Sequence, residues 1–283
     1  MGGKLHDIDS LLDEVVTLPS MPTALEQVVS LMDSPDASMS DVAKAISADP
    51  AIALKAMRLV NSAYYGLGQE VKTVDHAVVL LGGRVVRNLV LTASVFNVIE
   101  GVAERFVRHA IGCGVAMRIM ARHGSASALL DSPDEGFVFG LLHEIGKVLL
   151  NEFMPEESSE VSALVQGGAL PHLAERQVIG VDHAEIGARL AERWHLSPSI
   201  VDALQGQYDL NRTSPAHRPL AAGLQLSNFM AEASGYTSEA KASAVLEPGI
   251  LGVAGLGAAE LPVILEQYFA SHGEISDLLS LAG

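Results

Sequence analysis

Residues Phe137 to Leu150 read FVFGLLHEIGKVLL. Val138, Leu141, Leu142, Ile145 and Leu149 recur at helical spacing and the run is apolar on most sides, which predicts a helix at the centre of a helical domain. On a helical wheel His143, Glu144 and Lys147 fall opposite that stripe. From the residues alone this reads as a solvated polar face.

The same period extends in both directions. Leu25, Val28, Val29 and Met32 stand at i, i+3, i+4 and i+7 between Pro22 and Pro35, the pattern of an amphipathic helix. Ser40 is a candidate cap for a short helix through Ile46, and Asp49-Pro50 pairs a capping side chain with a proline suited to the first helical position. Thr73 opens a further helix carrying Val74, Ala77, Val78 and Leu81, and Gly82-Gly83 stops it. Arg84 to Ile99 contains many β-branched residues but runs sixteen residues without a turn signal, so length favours a buried helix over a strand. Glu104 to Arg122 places Phe106, Ala110, Cys113, Met117 and Met120 on one stripe. Asp131 to Gly136 reads as a polar loop. Asp182 and Glu185 form a capping-box-like pair ahead of a helix to Trp194, Ser197-Pro198 opens the next, and Leu220 to Glu232 is apolar and helical. With 5% aromatic residues and little strand-like alternation, the fold class is all-α.

Composition narrows the function. The 283 residues are 49% hydrophobic and 18% charged, enough apolar material for a large core and far from the composition of disorder. Eighteen Lys and Arg stand against 34 Asp and Glu, a net charge of −16, which argues against binding nucleic acid through its phosphates. The single cysteine, Cys113, excludes an intramolecular disulfide and a cysteine-based zinc site, and suits a reducing compartment. The start, MGGKLHDIDS, lacks an apolar signal core. The most apolar stretch, Val85 to Ile99, is interrupted by Arg87, Asn88, Ser94 and Asn97, so membrane insertion is not expected and a cytoplasmic location is.

The order of these features resembles the HDOD family, the HD-related output domain of bacterial signalling proteins. The resemblance is carried by LPSMPTALEQVVSLMDSPDASMSDVAKAISADPAIALKAMRLVNSAYYG, TVDHAVVLLGGRVVRNLVL, FVFGLLHEIGKVLL and HAEIGARLAERWHLSPSIVDAL, covering about residues 18 to 232. It implies an N-terminal helical lobe over residues 1–100, an HD-like helical core over 101–235 and closing C-terminal helices over 236–283. It also implies a site. Enzymes of the HD superfamily hold metal ions with His and Asp side chains and use metal-bound water on phosphoesters, chemistry that needs deprotonated carboxylates, neutral imidazoles and an open coordination position.

Carried over by motif, the first metal histidine falls on His109, the His-Asp pair on His143 and Glu144, the later histidine on His183, the paired histidines on Gln207 and Tyr208, and the last aspartate on Asn228. Glu144 keeps its charge one methylene further out, Asn228 offers a neutral oxygen, and Gln207 and Tyr208 are poor ligands for a transition ion. The pocket therefore reads as a degenerate HD site with no catalytic residue and no resident cofactor. If any ion is held, it is a divalent transition metal. Lys147 could then neutralise Glu144 in place of a cation.

Simpler readings stand beside these. His109 lies one residue off its apolar stripe, as a half-buried structural histidine would. Trp194 suits a core anchor, and Asn61 and Ser62 a helix-ending hydrogen-bond cluster. Six arginines between Arg84 and His123, among them Arg84, Arg87, Arg105 and Arg108, face only Glu100 and Glu104 in that stretch, a candidate anion or partner surface. The resulting expectation is a non-catalytic signalling module that acts through protein partners. The alternatives are a divergent metal-dependent phosphohydrolase using His109, His143 and Glu144, and a module that binds a nucleotide second messenger without cleaving it.

Overall fold

The computed structural model describes residues 23–32, 34–238 and 246–282. Among them there is no strand, as the helical periodicity predicts. No helix there is long and apolar enough to cross a membrane. Two compact units result, Pro19–Gly101 with Phe269–Gly283, and Val102–Tyr268.

The first unit contains α1 (Thr23–Met32), α2 (Met39–Ser47), α3 (Pro50–Val60), α4 (Val74–Leu81) and α5 (Gly83–Val98). Local chemistry sets their starts. Asp49 accepts from the Ala51 and Ile52 amides with Pro50 behind it, and Thr73 accepts from the His76 amide. α2 begins at a different residue from the one expected: Ser38, not Ser40, is the cap, in a reciprocal capping box with Asp41. Both serines precede the same apolar run, and only Ser38 has a carboxylate three residues on. α2 packs on α4, and α3 packs on α5, burying Ile46, Ile52, Leu59 and Phe96 completely or nearly so. Beyond α3, Asn61 donates through Nδ2 to Met57 O (3.0 Å) and Val71 O (2.8 Å) and accepts from Val71 N (2.7 Å). One amide thereby stands in for a strand partner.

The second unit holds the run Phe137 to Leu150. It contains α6 (Glu104–Met120), α7 (Pro133–Leu142), α8 (Ile145–Phe153), α9 (Pro155–Gln166), α10 (Pro171–Val178), α11 (His183–Arg193), α12 (Pro198–Gln205), α13 (Arg218–Ala233), the short α14 (Ile250–Val253) and most of α15 (Glu260–Ala270). The remaining helix, α16 (His272–Ala282), packs on α3 in the first unit. Phe137 to Leu150 is two helices, α7 and α8, joined by a turn at His143-Glu144. The stretch expected as a loop before it is partly helical, because Ser132 caps the Glu135 amide with Pro133 in the first turn. α7 lies against α6, which also carries α13, while α11 bridges α8 and α12. Trp194 at the end of α11 is fully buried.

Candidate functional site

The turn between α7 and α8 sits inside the unit. His143 is 0% exposed, Glu144 2% and Lys147 8%, so the solvated face expected from an unbroken helical wheel is not there. The break rotates α8 relative to α7 and places these side chains among helices distant in sequence.

Two close approaches assemble the site. A Cβ on Gly140 would lie 2.6 Å from Cys113 O, so only glycine lets α7 come this near α6. One helical turn along from that contact on each helix stand His109 and His143. A Cβ on Gly146 would lie 2.0 Å from His183 O, which seats the first turn of α8 on the start of α11.

His109 is fully buried, not half-buried as its position on the wheel suggested. Its Nδ1 lies 2.7 Å from Tyr236 O, and Nδ1 of His143 lies 2.7 Å from Gly140 O. Carbonyls only accept, so both rings carry a proton on Nδ1 and turn Nε2 inward. The two Nε2 atoms are 3.1 Å apart. Burial pushes His143 down to about 3 against the opposing pull of Glu144, which keeps the ring neutral at neutral pH. Oε2 of Glu144 is 3.6 Å from His109 Nε2 and has no hydrogen-bond partner among the described residues. Its Oε1 accepts from Lys147 Nζ at 2.5 Å. Burial alone would raise the Glu144 carboxyl; Lys147 first, then His109, His143 and His183, outweigh it and hold the group well below the usual carboxylate range.

A second group adjoins the first. His183 opens α11 behind the capping Asp182, and Oε2 of Glu175 accepts from both His183 N (2.8 Å) and Nδ1 (2.6 Å). That leaves Nε2 to accept from the Tyr208 hydroxyl at 2.7 Å. The Tyr208 ring stacks on His172 at 4.2 Å, and burial, followed by surrounding carboxylates, keeps the phenol protonated well above its ordinary range. Gln207 donates from Nε2 to His143 O at 2.9 Å. Arg176 grips Asp182 (2.7 Å) and Glu185 (3.1 Å), and Arg212 pairs with the same two carboxylates. This clasp fixes the 207–212 segment over the start of α11.

The structure thus brings together His109, His143 and Glu144, whose ligand atoms lie within 4.8 Å of one another. His183, Gln207 and Tyr208 form the neighbouring hydrogen-bonded group. Asn228, on α13, has a buried Oδ1 without a partner among the described residues. The four arginines do not share one unit: Arg84 and Arg87 lie on α5, Arg105 and Arg108 on α6, where Arg108 pairs with Glu104 at 2.6 Å. Sequence reasoning missed Glu175, Arg176, Arg212 and the Tyr236 carbonyl. Glu175 sits in a stretch without clear periodicity, and only its burial, 4% exposed, marks it.

Two inward imidazole nitrogens and an orphaned carboxylate oxygen fit one divalent transition ion. The second set does not fit another. His183 Nε2 is taken by a protonated phenol, and Gln207 directs its amide hydrogens at a carbonyl.

Comparison with known proteins gives the same fold. The profile of the HDOD domain matches residues 18–210. A protein from Treponema pallidum (strain Nichols), named only "Uncharacterized protein", is 26% identical over 225 residues, covering 78% of this chain and 43% of its own length; the chain spans less than half of that relative. A "Putative phosphohydrolase" from Shewanella amazonensis SB2B is similar with a TM-score of 0.76 at 28% identity, over 96% of this chain and 98% of that one. An HDOD domain protein with unknown function from Geobacter sulfurreducens shares the fold with a TM-score of 0.71 at 21% identity, over 98% and 99% of the two chains. With its HD-like helical core and a profile match across most of its length, the chain belongs to the HDOD family.

Proposed function

We propose that the chain is a non-catalytic signalling module that acts by binding protein partners, built around an HD-like centre that has lost its hydrolytic cage. One observation carries this reading: the Glu175–His183–Tyr208 chain of hydrogen bonds fills the place where further ion ligands are expected. Metal-assisted phosphoester hydrolysis needs an open coordination position for water and room for the ester beside it. Here His109, His143 and His183 are 0% exposed, and Gln207 is 3% exposed. An ion bound at His109, His143 and Glu144 would supply Lewis acidity, but these residues hold it away from solvent and substrate.

The surviving trio, and the name of the Shewanella relative, favour a second reading, a divergent metal-dependent phosphohydrolase. The two separate in one assay. Chelator-treated protein reloaded with manganese, zinc or iron is presented with phosphomonoesters and cyclic dinucleotides. The expected result is no turnover above that of His143→Ala. Turnover that disappears in Glu144→Ala establishes the enzyme instead.

A further inference from the structure

Lys147 has two polar environments within its reach. On one side Nζ meets Glu144 Oε1 at 2.5 Å and Ser238 Oγ at 3.4 Å. On the other, Lys147 lines a cavity of about 60 Å³ together with Asn151, Ser158, Ser162, Val161 and Glu175. The floor of this cavity is buried at Ser158, Val161 and Glu175, while Asn151 and Ser162 are exposed at its mouth. Lys147 belongs both to the three-donor centre, through Glu144, and to a polar recess.

The ammonium does for Glu144 what a cation would do: it offsets a carboxylate that is 2% exposed. It also opposes a cation. A divalent ion on His109, His143 and Glu144 would share that carboxylate with a like charge in a site shielded from water, where such repulsion is strong. The recess offers the ammonium a carboxylate, hydroxyls and an amide oxygen in exchange. We propose that Lys147 is a displaceable internal counter-ion, closed on Glu144 in the metal-free protein and withdrawn into the cavity beside Glu175 when the three donors take a divalent transition ion. The centre would then report metal occupancy through the position of a lysine. This rests on the non-catalytic reading of the same site, and it concerns affinity, not turnover.

The experiment is calorimetric titration of the chelator-treated full chain with zinc and with manganese. Lys147→Met is expected to bind at least about tenfold more tightly than wild type, because a like charge is removed from beside the ligand carboxylate. Ser162→Phe, which crowds the recess from an exposed position, is expected to bind several-fold more weakly than wild type, and to have no effect when combined with Lys147→Met. Equal affinities in wild type and Lys147→Met would overturn the proposal, as would binding by neither. If Lys147→Met does not fold, Ser162→Phe decides: weaker binding supports the withdrawal and unchanged binding refutes it. Hydrolysis by wild type, measured alongside, would count against the non-catalytic reading and leave the role of Lys147 to the titration.

Discussion

Nε2 of His109 and Nε2 of His143 face each other at 3.1 Å, with both Nδ1 atoms committed to backbone carbonyls. Two ring nitrogens at that distance are compatible only with a proton or another positive charge between or beside them. The Glu144 carboxylate close by makes a cation favourable there, and Lys147 limits how favourable.

This arrangement makes the metal-free protein sensitive to acid. In the folded state His143 is held down to about 3, whereas an exposed histidine protonates near 6.5. Between those values the unfolded chain binds the additional proton, so the stability contributed by neutral His143 is complete above about 6.5 and is lost as the pH falls towards 3. Glu144, held below its ordinary range, adds a loss of the same sign at the acid end. Calorimetric scans in chelator should show Tm falling steadily from pH 7 to pH 4, with a flatter profile for His143→Gln.

Glu175 tests the second group. One oxygen accepts from both the amide and the ring of His183, so Glu175→Ala leaves two buried donors without an acceptor. It should cost about 3 kcal/mol in urea unfolding, and Glu175→Gln, which restores one acceptor, about 1–2 kcal/mol.

Gly146 and Gly187 make a matched pair. A Cβ at Gly146 would meet His183 O at 2.0 Å, while at Gly187 the nearest atom is a methyl of Ile145 at 3.5 Å. Gly146→Ala should therefore destabilise by about 3 kcal/mol or more, the cost of forcing a packed backbone apart. Gly187→Ala should be neutral or slightly stabilising, within about 1 kcal/mol, since alanine is the better helix former. Thermal unfolding of the two variants side by side checks both.

Helix caps separate by burial. Asp182 is 1% exposed and binds Arg176 as well as the Glu185 amide, whereas the capping box of Ser38 lies on the surface. Asp182→Ala should cost about 2–3 kcal/mol, because it strips the contact of a buried carboxylate with a half-buried arginine along with the cap, and Ser38→Ala about 1 kcal/mol. Chemical denaturation of both proteins gives the comparison.

Much of the fold was legible because its signals are local. Asp49-Pro50 and Thr73 announce α3 and α4, and the apolar period of Phe137 to Leu150 places that segment inside a domain. Ser38 and Ser40 both precede the same apolar run, and the contact that makes Ser38 the cap is a side chain reaching back from Asp41. The centre was legible only through family resemblance. A helical wheel assumes a continuous helix, and the turn at His143-Glu144 breaks that assumption at the residues that matter. The remaining contacts, from Tyr236 to His109 and from Glu175 to His183, join positions with no shared period. Nothing in their local sequence distinguishes that glutamate from its solvated neighbours.

The Asn61 bridge has a consequence for recognition. By tying Met57 to Val71 it staples the excursion from Ser62 to Glu70 that carries Tyr64 and Tyr65, whose rings meet edge to face with centroids 4.9 Å apart. A stapled excursion has given up its conformational freedom before any encounter, so a molecule that docks against it owes little ordering entropy. That stretch is pinned at both ends with Tyr64 buried, so its backbone enters any encounter already ordered.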